Sequence, residues 1–237
     1  MRITLQQLTV ITLVLFMPTA NADLRSDLEE IVKQEHIPAV AWVIKRPGEA
    51  AVISTIGSNV TEKTPFRFGS ITKSFTAIAL LKAAESKGLP LSTPLDQVIP
   101  AREFSNSFKE PVRLMGLVAL TAGHTDIGFD AFNDNTAYPL TDALRGNRDV
   151  LASRWPPGLL HSYSNAIPGL SERVIEVLTG KSYASALKDL LFSPLDFNEA
   201  TFDNVALLPG GFRADGTTAI PYWNMTFKAF GGLNLSM

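Results

Sequence analysis

Phe66-Arg67-Phe68-Gly69-Ser70-Ile71-Thr72-Lys73-Ser74-Phe75 is the stretch from which this sequence is best read outward. A serine and a lysine stand three apart, directly after a glycine and at the head of an apolar run with helical spacing. Positions i and i+3 share a helix face, so the Ser70 hydroxyl and the Lys73 amine are expected to meet. A serine hydroxyl is a weak nucleophile until a neighbour takes its proton. An amine can take it only when neutral. The positive end of a helix disfavours an ammonium, and the stripe Ala77, Leu80 and Ala84 continues from Lys73, so apolar surroundings are expected to act in the same direction.

Spacing alone does not separate this reading from a plain N-cap serine and a surface lysine. The same Ser-x-x-Lys pattern recurs at Ser185 and Lys188, within Tyr183-Ala184-Ser185-Ala186-Leu187-Lys188-Asp189-Leu190, where a solvated helix face explains it. Position distinguishes the two copies. Ser70 follows a glycine at a strand-to-helix junction, and Ser185 does not.

Composition narrows the chemistry. With 21 basic and 23 acidic side chains the formal net charge is −2, and no basic cluster with interleaved aromatics is visible, which argues against a nucleic-acid partner. The sequence has no cysteine, so disulfides, thiol catalysis and cysteine-held metal are excluded. His36, His124 and His161 are scattered without metal-ligand spacing, so no metal is expected. His124 reads as a surface histidine.

The first residues read as an export signal, residues 1–22. Arg2 supplies a positive start, Leu8 to Met17 is apolar, Pro18 breaks the run, and Ala20-Asn21-Ala22 has the small-x-small form of a cleavage site. The apolar run is about half the roughly 20 residues that a membrane span needs, which favours cleavage over a retained anchor. The expected mature chain starts at Asp23, has no membrane span and is secreted or periplasmic.

Residues 23–65 read as a first helix and a strand hairpin. Leu28, Ile31 and Val32 oppose Asp27, Glu30 and Lys33 in a helical pattern over Leu24 to Gln34, ended by Pro38. Ala39 to Ile44 and Ala51 to Ile56 are Val- and Ile-rich runs joined by Arg46-Pro47-Gly48-Glu49. Residues 66–237 read as mostly helical. A helix is expected from Ser70 to Lys87, stopped by Gly88; the three prolines between Leu89 and Pro100 exclude a long element there. Val112 to Leu120 suggests a buried helix, Thr121 to Pro139 a long loop bordering a site, and Ile167 to Leu178 a helix capped by Gly180. Tyr183 to Leu191 suggests one more helix, and periodicity is lost beyond Pro194.

A second constellation is His161-Ser162-Tyr163-Ser164-Asn165, between the Pro156-Pro157-Gly158 turn and a helix. Residues two apart on an extended segment point the same way, so Tyr163 and Asn165 are expected to act together. A phenol relays a proton if a nearby cation favours its ionised form, and an asparagine amide both donates and accepts. The pattern recurs at Tyr222-Trp223-Asn224, where a half-buried tyrosine and a turn asparagine suffice.

The order of these pieces carries more weight than any one of them. Phe68 to Phe75, Leu89-Pro90-Leu91-Ser92-Thr93-Pro94-Leu95, Leu120-Thr121-Ala122-Gly123, Pro157-Gly158 through Asn165, Leu178 to Tyr183 and Phe192-Ser193-Pro194-Leu195 together resemble the penicillin-recognising serine hydrolases. That group comprises class C β-lactamases, D-alanyl-D-alanine peptidases and related esterases. The resemblance, over roughly residues 24 to 237, implies an α+β fold of β-lactamase type: an antiparallel sheet flanked by helices, with an all-helical lobe. It implies Ser70 as the acylated nucleophile, Lys73 as its proton acceptor, Tyr163 as the general base toward leaving group and water, and Asn165 as a substrate-amide contact. The Ser70 N–H would form half of an oxyanion hole. No cofactor is implied; the partner is a small-molecule or peptide substrate carrying a β-lactam, a D-amino-acid amide or an ester.

One departure bears on activity. In the family, a segment like Phe230-Gly231-Gly232-Leu233-Asn234-Leu235-Ser236-Met237 is followed by closing strands with a Lys- or His-x-Gly motif and the second oxyanion donor. No such motif stands after Asn165 here. The sequence therefore suggests a truncated product or fragment, incomplete at the C-terminus, with reduced or absent turnover, since one oxyanion donor is worth about 100- to 1,000-fold in rate. A non-catalytic penicillin-binding or sensor protein is the alternative from a different class.

Overall fold

The structure, a computed structural model, describes residues 20–58, 60–126, 152–203, 211–220, 225 and 227–237. These fall into two compact units: one holds the described part of residues 1–62 with 211–220 and 237, the other residues 63–210 with 221–236.

In the first unit, helix α1 (Ala20–Gln34) is followed by strands β1 (Val40–Ile44) and β2 (Val52–Ile56). The two strands pair antiparallel, Val40 opposite Ile56 and Ile44 opposite Val52, as the two apolar runs predict. Their connection is held by the Lys45 ammonium on the Glu49 carbonyl and by an Arg46–Glu49 ion pair at 3.5 Å.

The second unit positions the site. Strand β3 (Phe66–Arg67) leads into a 3₁₀ turn (Gly69–Ile71) and then helix α2 (Thr72–Ser86). The expected helix from Ser70 to Lys87 thus starts two residues later, and Ser70 stands in the tight turn before it. α2 buries Thr72, Thr76, Ala79, Leu80, Ala83 and Ala84, one stripe at helical spacing. Helix α3 is short, Leu114–Val118, because Leu120 takes a left-handed backbone (φ 54°) that ends it; the longer helix suggested for Val112 to Leu120 is not formed.

Helix α4 (Ala166–Thr179) is the centre of this unit. Ten of its residues are buried, including Ile167, Leu170, Val174 and Ile175, so it is enclosed on several faces rather than lying on a surface. α2 packs against it. Helix α5 (Tyr183–Leu187) follows and runs into a π-helical turn at Lys188–Phe192. Phe192 meets Phe75 and Phe202 in tilted ring contacts, and these two rings meet Phe197 and Tyr183, respectively, edge-on.

Beyond Pro194, where periodicity is absent, short strands appear: β4 (Gly211–Phe212) pairs with β5 (Ala219–Ile220) in the first unit, and β6 (Asn234–Leu235) pairs antiparallel with β3 in the second. Two-residue strands carry no readable alternation, so only the pairing in space reveals them. Helices and small antiparallel sheets together give the α+β class. Among the described residues no helix is long and apolar enough to cross a membrane.

Candidate active site

Three chain segments meet around Lys73. The first is the turn that bears Ser70. β3 is tied to the far end of the chain by β6 and by the Phe68 N–H on the Leu233 carbonyl at 2.8 Å. The Leu233 N–H in turn donates to the Thr72 hydroxyl at 3.2 Å. Gly69 has a positive φ of 52°, which lets the chain turn sharply from strand into the 3₁₀ turn and leaves Ser70 exposed beside it.

The second segment carries Tyr163 and Asn165. It is laid along residues 120–126 by a ladder of contacts. The Ser162 N–H donates to the Leu120 carbonyl (3.0 Å), the Gly158 N–H to Thr121 (2.8 Å) and the Arg154 N–H to Gly123 (2.7 Å). The Ser164 hydroxyl donates to the Thr125 carbonyl at 2.8 Å and accepts from the Ala166 N–H, the first of α4, at 3.1 Å. The Asn165 N–H donates to Asp126 Oδ1 at 2.8 Å. Gly123 makes this alignment possible: its φ is 85°, and a Cβ there would stand 2.4 Å from the Trp155 carbonyl. The ladder also corrects the reading of His124. It is fully buried, paired across to Ser153, because the 120–126 segment is covered by the 153–164 segment instead of facing water.

The third segment is the turn Lys228–Phe230, whose last carbonyl reaches Lys73. Lys73 Nζ donates to Ser70 Oγ at 3.0 Å, to Asn165 Oδ1 at 2.7 Å and to the Phe230 carbonyl at 2.9 Å. Three acceptors match the three N–H groups of an ammonium. The apolar surroundings expected for this amine are therefore not what it meets. Its helix stripe does run into the core at Leu80 and Ala84, but the amine itself is turned to oxygen atoms from two other segments.

Tyr163 completes the cluster. Its hydroxyl donates to Ser70 Oγ at 2.6 Å, and Lys73 Nζ lies 4.7 Å from its ring centre, a cation–π distance. Burial pushes this phenol up, but the Lys73 ammonium and the Ser70 hydroxyl outweigh that and hold it below the ordinary tyrosine value of 10.0, with Asp126 opposing them. Tyr163 is 48% exposed and Ser70 is exposed, so an acyl compound can approach from solvent.

All four residues singled out in the sequence, Ser70, Lys73, Tyr163 and Asn165, thus meet at one point. The second Ser-x-x-Lys pair, Ser185 and Lys188, is exposed on and just after α5. Tyr222-Trp223-Asn224 and the loop residues after Asp126 up to Pro139 lie outside the described residues. Two contributors escape sequence reading: the Phe230 carbonyl, since a main-chain acceptor has no residue-type signal, and Asp126, which touches the site through a backbone amide. Among the described residues no group of three or more His, Asp or Glu is placed to hold a metal ion.

Residues 24–213 match the Beta-lactamase family. The chain is 26% identical to penicillin-binding protein 4 of Amycolatopsis lactamdurans, over 91% of this chain and 60% of that protein. It is 25% identical to a β-lactamase of Yersinia enterocolitica, over 71% of this chain and 43% of that one. The fold is that of the octameric penicillin-binding protein homologue from Pyrococcus abyssi, with a TM-score of 0.73 at 24% identity, over 92% of this chain and 54% of that one. The chain thus spans about half the length of the proteins it matches. With its serine, lysine and tyrosine gathered as the motif order implies and four-fifths of its length matched, the chain belongs to the Beta-lactamase family of penicillin-recognising serine hydrolases.

Proposed function

We propose that this chain is a serine acyl hydrolase acting on β-lactam, D-amino-acid amide or ester bonds through an ester on Ser70. One observation carries the reading: Ser70 Oγ is shared by Lys73 Nζ at 3.0 Å and Tyr163 Oη at 2.6 Å in a solvent-accessible position. Nucleophilic serine catalysis needs a proton acceptor within hydrogen-bond reach, and both partners satisfy that distance.

The lowered phenol and the fully engaged amine favour Tyr163 as the first acceptor, in place of Lys73 as the motif alone suggests. When Tyr163 is ionised, the short contact lets Ser70 donate to it as Oγ attacks the carbonyl carbon. The protonated phenol then gives that proton to the leaving nitrogen or oxygen. In the second half, Tyr163 takes a proton from the water that attacks the ester carbon and returns it to Ser70 Oγ as the acyl–oxygen bond breaks, which restores the phenolate and the free serine. Lys73 is the cation that keeps the phenolate accessible, and Asn165, which holds Lys73 through its carbonyl oxygen, presents its amide N–H₂ to the substrate carbonyl. The Ser70 N–H supplies one oxyanion donor. Export is proposed on the sequence of residues 1–22, and cell fractionation of the tagged full chain tests it.

The decisive experiment incubates the full chain with a fluorescent penicillin and with a p-nitrophenyl ester, followed by intact mass and a Ser70→Ala control. A probe-sized mass increase on wild type and none on Ser70→Ala is expected. No adduct with either compound, or an adduct that survives the substitution, overturns the proposal. Release of product after acylation marks an enzyme; an adduct that persists marks a penicillin-binding or sensing protein.

A further inference from the structure

Glu172 lies in the middle of α4, 4% exposed, one layer behind the acylation site and without a part in the chemistry above. Its Oε2 accepts the Ala229 N–H at 2.9 Å. The other side of the same residue is held too. The Thr76 hydroxyl of α2 lies 2.7 Å from the Ala229 carbonyl, 3.0 Å from the Thr72 carbonyl and 2.7 Å from the hydroxyl of Tyr183. The next carbonyl along, that of Phe230, is the one that takes the Lys73 ammonium. Ala229 is therefore gripped at both its polar groups, and the aim of the Phe230 carbonyl follows from that grip.

We propose that Glu172 is a positioning residue, whose buried carboxyl holds the Lys228–Phe230 turn in place so that the Phe230 carbonyl orients the Lys73 ammonium toward Ser70. The role of Lys73 in this statement rests on the serine-hydrolase reading. The groups facing the carboxyl act on its charge in both directions. Tyr183 of α5 and Glu176 of its own helix offer no positive charge, and Thr76 of α2 is uncharged. Lys228 on the turn is the cation that acts on it, and Lys73 is committed to three other acceptors. Burial pushes the carboxyl up to about 8, against the opposing pull of the Ala229 N–H and the Lys228 charge, with Glu176 adding to the rise. An opened turn, with Glu172 in water, has an ordinary carboxylate. The closed turn binds one proton more, so raising the pH favours opening until the closed form ionises as well.

The test is amide hydrogen exchange of the full chain at Ala229, in wild type and Glu172→Gln, from pH 5 to 9. In wild type the protection, corrected for base-catalysed exchange, is expected to fall by up to about tenfold per pH unit between about pH 5 and 8 and then level. In Glu172→Gln, which keeps an acceptor and cannot ionise, it is expected to be flat. A flat wild-type profile, or the same slope in both proteins, overturns the proposal. A second readout is the acylation rate of Ser70 by the fluorescent penicillin at pH 6. Glu172→Ala is expected to slow it at least about tenfold through misplacement of the turn, and Glu172→Gln to restore most of that loss. A Glu172→Ala rate equal to wild type overturns the link to Lys73. If no form acylates, the hydrolase reading fails, and the exchange profiles still decide the role of Glu172 in the turn.

Discussion

Lys73 draws oxygen atoms from its own turn, from residue 165 and from residue 230, while Tyr163 leans its ring against the same ammonium. The chemistry at this point is a competition for one positive charge. The phenol benefits: its proton is held less firmly than an ordinary tyrosine's. Acylation of wild type is therefore expected to rise with pH through an apparent value below 10.0, as the lowered phenol ionises. In Lys73→Met, which removes the charge and keeps the stem, that rise is expected to move to higher pH. A stopped-flow profile of acylation with a chromogenic ester distinguishes the two; identical midpoints refute the assignment. Tyr163→Phe is expected to slow acylation about 100-fold or more, the range for a lost general base, while the thermal midpoint stays within a few degrees because the ring is half exposed. Ser70, Lys73, Tyr163 and Asn165 are legible in the chain because two spacings, three along a helix and two along an extended arm, aim side chains together. Asp126 and the Phe230 carbonyl are not legible, because nothing in their residue types signals a contact made through main-chain atoms.

The segments that carry these side chains are held by a few specific contacts. Gly123→Ala forces a left-handed backbone on a residue with a Cβ and drives that Cβ into the Trp155 carbonyl. A loss of about 1 to 3 kcal/mol is expected, together with weaker labelling of Ser70, since the 120–126 segment supports Tyr163. Urea unfolding followed by labelling checks both effects, and unchanged stability would show that the chain passes there without strain. Arg173 of α4 reaches Glu103 with Nε 2.8 Å from Oε2, and Glu103 is 1% exposed. Arg173→Ala leaves a buried carboxylate without its partner, a change expected to cost about 3 kcal/mol or more; urea midpoints of Arg173→Ala and of Arg173→Ala with Glu103→Leu decide, the double substitution being the milder. Elements with long periodic patterns, such as α2, α4 and the β1–β2 hairpin, were readable from residue order. β3 and β6, two residues each, were not. His124 was misread as a surface residue because burial here comes from a distant segment lying over it, a circumstance that no local pattern records.

For the chain taken whole, the pH dependence of stability is set in part by Glu172. Its carboxyl in the folded protein rises to about 8 from an ordinary 4.5, so the native state holds one proton more than the unfolded state between those values. The associated stability is complete below about pH 4.5, declines as pH rises toward 8, and declines no further above it, at a rate of at most about 1.4 kcal/mol per pH unit. Urea midpoints of wild type and Glu172→Gln between pH 5 and 8 are expected to diverge in favour of the substituted protein as pH rises. Parallel midpoints contradict this. Residue order alone established the helix that begins near Ser70, the hairpin at residues 40–56, the Tyr-x-Asn arm and the order of motifs that identifies the family, because each depends on a spacing of a few positions. Folding in space was needed to bring the Phe230 carbonyl, 157 positions away, onto Lys73, to bury His124 and Glu172, and to loosen the proton of the Tyr163 phenol. Proton affinity follows the dielectric and the charges within a few ångströms of a group, and those neighbours are chosen by packing rather than by position along the chain.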